Sequence, residues 1–106
     1  MSKSHVTEGF PFDETSLVFK VADKMFALLD LENDLRMNLK CKPDRSIELR
    51  ERYPAIQPGY HMNKKHWNTV YIDGTLSQDE VFELIDHSYD LVVSKLPKKL
   101  KEEIGK

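Results

Sequence analysis

Cysteine occurs once in the 106 residues, so no internal disulfide can form. The four glycines leave little material for the backbone cradles that hold nucleotide phosphates. No apolar run approaches the roughly 20 residues that cross a bilayer, and the N-terminus lacks the charged-then-apolar pattern of a secretory signal. A cytoplasmic protein is therefore expected. Linkers rich in Pro, Gly or Ser, low-complexity tracts and internal repeats are also missing, which points to one domain over residues 1–106. A GxSxG elbow, an HExxH pair, a P-loop and a GxGxxG turn are all lacking. On these grounds no catalytic residue and no cofactor is assigned, and the chain reads as a binding protein rather than an enzyme.

What the sequence does contain is segregated charge. The net charge of −2 conceals acidic and basic blocks. Residues 1–35 carry three Lys/Arg against seven Asp/Glu, and residues 68–94 carry none against six. Residues 36–67 carry eight against three, and residues 95–106 five against two. If the two basic blocks meet in space, they form the electrostatic footprint of a phosphate-backbone binder.

Alternation with period two predicts strands at residues 16–21, 25–31, 35–41 and 67–73. In the second, Met25, Ala27 and Leu29 fall on one side and Phe26, Leu28 and Asp30 on the other. In the third, Met37, Leu39 and Cys41 point inward and Arg36, Asn38 and Lys40 outward. Pro43 starts a short helix that Pro54 stops. Ser77 with Glu80 forms a capping box, flanked by Leu76 and Val81, for a long helix bearing Val81, Leu84, Ile85, Ser88 and Val92. A last short helix covers 98–104. The expected fold is α+β, a four-stranded mostly antiparallel sheet in the order β-β-β-α-β-α with helices on one face. The long helix should pack on Leu17, Met37 and Leu39.

His5, His61, His66 and His87 raise the question of a metal, but Lys64 and Lys65 lie between His61 and His66 and oppose a cation, so none is assigned. His87, with Glu83 and Asp90 one turn away on either side, reads as part of an exposed ion-pair face. The stretch from Tyr60 to Thr69 interleaves rings, amides and cations. Lysines neutralise phosphates, amides reach base edges and rings stack on bases. Arg36, Asn38, Lys40, Tyr60, His61, Asn63, Lys64, Lys65 and Asn68 are thus the candidate nucleic-acid-binding residues.

The string GYHMNKKHWNTV, with FPFDETSLVFKVADKMFALLDL before it and LIDHSYDLVVSKLPKK after it, resembles the MmcQ/YjbR family of small bacterial proteins across nearly the whole chain. By position the family signature falls on Phe10, Pro11, Phe12, Lys24, Asn38, Lys40, Tyr53, Pro54, Gly59, Tyr60, His61, Met62, Asn63, Lys64, Trp67, Asn68, Asp86, Tyr89 and Lys95. The resemblance implies a double-wing, secretion-chaperone-like α/β arrangement and DNA binding, which the lysine and arginine pattern makes weak and largely non-specific. The alternative it leaves open is a chaperone-like module that binds a peptide or a second copy of itself. Family members carry an N-terminal helix ahead of the segment KSHVTEGFPF, and residues 1–5 are too few to supply one. Uncovered apolar surface, and hence a homo-oligomer, is the expectation.

Overall fold

The computed structural model describes residues 6–11, 14–31, 35–59 and 63–104. Strands β1 (Val6–Gly9), β2 (Ser16–Val21), β3 (Lys24–Asp30) and β4 (Arg36–Lys40) come first. Helix α1 (Pro43–Arg52), strands β5 (Ile56–Pro58) and β6 (Trp67–Tyr71), and helices α2 (Gln78–Ser94) and α3 (Lys98–Ile104) follow. The sheet is antiparallel throughout, in the order β1-β2-β3-β4-β6-β5. The α+β class holds, but six strands replace the four expected, and β5 enters between α1 and β6. Both additions are edge strands, four and three residues long, and too short to show a period. Pro58 fits in β5 because an edge strand has one side that needs no N–H donor.

The turn joining β2 to β3 holds two residues, Ala22 and Asp23, both with positive φ, 49° and 65°. That geometry twists with the flanking strands and closes the hairpin tightly. Within it the register shifts: Phe19 faces Ala27, but Lys20 faces Met25, leaving Phe26 as an extra residue. A bulge of this kind breaks the alternation. Phe26 therefore joins Ala27 on the helix side rather than Leu28 and Asp30 on the other. Its ring, fully buried, packs edge-on against Tyr89 of α2 at 5.4 Å between centroids. Beside the bulge the β3–β4 pairing stops at Ala27–Leu39, and α2 bridges the next step, where the Ser88 hydroxyl donates to the Phe26 carbonyl at 2.6 Å and accepts from the Lys40 amide at 2.8 Å.

Helix α2 starts as expected. Ser77 Oγ accepts from the Glu80 amide while the Glu80 carboxylate accepts from the Ser77 amide, and the Ser77 amide, followed by the Ser77 hydroxyl, holds that carboxyl below its usual range. Leu84, Ile85, Ser88, Tyr89, Val92 and Val93 are buried, and the core gathers them with Val21, Phe26, Leu39, Ile56 and Val70. Leu39 is 2% exposed, whereas Leu17 is half-buried outside that cluster, because α2 lies over β3 and β4. His87 corrects the surface-pair expectation. Glu83 takes Arg45 of α1 instead, at 2.5 and 2.7 Å, and His87 Nε2 faces the Lys42 amide at 3.4 Å. No helix among the described residues is long and apolar enough to cross a membrane.

Candidate functional site

Residues paired across an antiparallel ladder share a face. Asn38 pairs with Leu28 and Thr69, and Leu39 with Ala27 and Asn68. Arg36, Asn38 and Lys40 accordingly lie on the face that α2 does not cover, together with Thr69 and Tyr71. Their chemistry is less available than a bare stripe implies. Arg36 pairs with Asp30 at 3.0 Å, and a hydrogen bond with Tyr71 and then Asp30 hold its guanidinium more firmly charged. Asn38 is 6% exposed and accepts from the Thr69 hydroxyl at 2.5 Å. Lys40, half-buried at the end of β4, is the member of the three left without an ion pair among the described residues.

Asn68 is a correction. It sits on the helix face with Leu39, is 3% exposed, and accepts from Arg50 Nε at 2.8 Å. It cannot reach a ligand on the opposite face. Arg50 of α1, absent from the candidate set, also donates to the backbone carbonyls of Lys64 and Trp67. One guanidinium thus ties α1, β6 and the loop before β6 together. No sequence pattern announces such a role, since two of its three acceptors are carbonyls that every residue carries.

The loop itself is a tight turn held by Asn63. The Asn63 carbonyl accepts from the His66 and Trp67 amides, and its Oδ1 accepts from the Lys65 amide at 2.9 Å. Asn63 is therefore engaged in its own turn, while Lys64, Lys65 and His66 are exposed. Lys64 Nζ reaches the Gly59 carbonyl at 3.3 Å. Tyr60 and His61 lie outside the described residues. No group of three or more His, Cys, Asp or Glu able to hold a metal occurs among the described residues.

Topology then decides where the lysines go. Strand β3 begins at Lys24, β4 ends at Lys40, and β6 begins just after Lys64 and Lys65, all at one end of the sheet. Helix α2 returns to the same end and finishes beside Lys95. Lys24, Lys40 and Lys95 line a common recess of about 180 Å³ with Met25, Val92 and Leu96. Asp30, Asp73, Asp79 and Glu80 lie at the opposite end together with Arg36, while Asp23 and Asp44 lie near the lysines. The separation is partial, since Arg36 pairs with Asp30 and Arg52 lies near Glu80.

The YjbR family model matches residues 1–91. The chain belongs to the YjbR family. Escherichia coli K12 YjbR is 33% identical over 103 residues, covering 96% of this chain and 87% of its own. YbdF of E. coli O157:H7 is 39% identical over 99 residues, 90% and 79% of the two chains. Among solved structures, Deinococcus radiodurans DR2400 superposes with a TM-score of 0.92 at 46% identity, over 98% of this chain and 80% of that one. A Pseudomonas syringae protein follows at 0.73 and 31%, covering 85% and 89%. The YjbR fold thus extends to the lysine-bearing end, since Lys24, Lys40, Lys64 and Lys65 fall within the matched residues.

Proposed function

We propose that this YjbR protein is a non-enzymatic binder of nucleic-acid phosphates, with duplex DNA as the target. Lys40 at the end of β4 and Lys64 and Lys65 beside it make the contacts. One observation carries the reading: strand and helix polarity bring lysines from distant parts of the sequence to one end and leave the acidic cluster of Asp73, Asp79 and Glu80 at the other. Arg36, Asn38, Asn63 and Asn68 drop out as contacts because each is engaged within the protein. With base-reading amides removed, the binding is to backbone and indifferent to sequence.

The test is a salt series of binding to random duplex and single-stranded DNA, followed by fluorescence anisotropy. Neutralising three or four phosphates gives a log-log slope of roughly −3 to −4 on duplex. Lys40→Ala with Lys64→Ala should weaken all sequences alike and flatten the slope by about two. No binding at 50 mM salt, or a double mutant equal to wild type, overturns the proposal.

A further inference from the structure

The recess between Lys24, Lys40 and Lys95 differs from the rest of the lysine-bearing end in being concave and built from three elements. Lys24 opens β3 directly after the tight Ala22-Asp23 turn, so its backbone is fixed by the hairpin. Lys40 is anchored through its amide to Ser88, and Lys95 is the C-cap of α2, its amide bonded to the Val92 and Val93 carbonyls. Met25, Val92 and Leu96 supply an apolar wall, and no carboxylate lines the recess. Among the described residues none of the three lysines has an ion-pair partner. The end of α2 offsets only about half a charge. Three lysines therefore line one small space that no carboxylate lines, which leaves it with an excess of positive charge.

An internal phosphodiester brings one negative charge and has a substituent on both sides, which a concave recess does not admit. A phosphate monoester brings close to two charges above its second ionisation near pH 6, and a single substituent that can leave along the apolar wall. We infer that Lys24, Lys40 and Lys95 form a seat for one phosphate monoester group. The inference rests on the nucleic-acid reading only for its preferred source, the 5′-phosphate end of a DNA strand. Inorganic phosphate and a nucleoside monophosphate carry the same chemistry.

The experiment has two arms at pH 7.5. In the first, lysine side-chain NMR signals of the full chain are followed while inorganic phosphate, then a nucleoside monophosphate, is added. Lys24, Lys40 and Lys95 should shift together and saturably, and Lys20 and Lys98 should not. In the second, matched duplexes with and without a 5′-phosphate are compared, and the phosphorylated one should bind roughly five- to tenfold tighter through the additional exposed charge pairs. Lys95→Ala, on an exposed residue, should bring that ratio to one with an unchanged melting temperature. If duplexes bind but the ratio is one in wild type and phosphate gives no saturable shift, the seat is overturned and the nucleic-acid reading stands. If phosphate saturates the three lysines while neither duplex binds, the seat stands and the nucleic-acid reading falls. A scattered, non-saturating shift of all lysines with no duplex binding overturns both.

Discussion

The Ser88 hydroxyl occupies the gap that the bulge at Phe26 opens between β3 and β4, 2.6 Å from the Phe26 carbonyl and 2.8 Å from the Lys40 amide. A helix side chain thus completes a sheet ladder. Ser88→Ala would leave a carbonyl and an amide without partners in a fully buried position, a loss of about 2 kcal/mol. Ser88→Val would add bulk and cost more. Urea unfolding checks this, and a stability within 0.5 kcal/mol of wild type would show that the ladder closes without the hydroxyl.

Arg50→Ala removes three hydrogen bonds at once and strands the buried Asn68 side chain. A loss of about 2 to 3 kcal/mol is expected, with Arg50→Lys recovering little because one ammonium cannot match the spread of a guanidinium. Amide exchange of residues 64–67 should speed up in both variants. Unchanged exchange there would count against the loop being held by this residue.

The β2–β3 turn offers a gain instead of a loss. Asp23 is exposed with φ at 65°, a region that costs most L-residues energy and glycine almost none. Asp23→Gly should raise stability by up to about 1 kcal/mol, read as a higher melting temperature. A lower one would mean that the aspartate side chain itself stabilises the turn.

Burial, followed by the Arg45 and Lys42 charges, pushes the His87 imidazole below its ordinary 6.5, against the smaller opposing pull of Glu83 and Asp90. A lowered pKa in the folded state means that the unfolded chain takes up protons first. The associated stability is therefore intact above about pH 6.5 and is lost as pH falls below it, down to the folded pKa. Melting temperatures from pH 7.5 to 5.5 should decline less in His87→Gln than in wild type, and parallel curves would refute the assignment.

Where the sequence carried a local signal, the structure follows it closely. The alternation in Ser16–Val21, Pro43 at a helix start, the Ser77–Glu80 capping pair and the short helix Lys98–Ile104 all stand where expected. What escaped was non-local. A one-residue bulge turned Phe26 inward without leaving a mark in its own strand, and β1 and β5 are strands only because a neighbour is there to pair with. Taking residues 60–69 as one motif also hid a simple consequence of period two. Trp67 and Thr69 share the face of Lys40, so Asn68 between them faces the other way. The charge blocks were legible from the start, but that Lys24, Lys40, Lys64 and Lys65 would meet at one end depended on strand order.

Lysines gathered at one end of a molecule 39 Å long make its charge uneven, even though its net charge of −2 has the same sign as DNA. If the proposed contact with a duplex forms, the lysines at that end would be felt within about a Debye length, near 8 Å at physiological salt, while the net charge would repel at longer range. The field would then turn the lysine-bearing end inward before contact, so salt would act on approach in two opposing ways, relieving the repulsion and weakening the alignment.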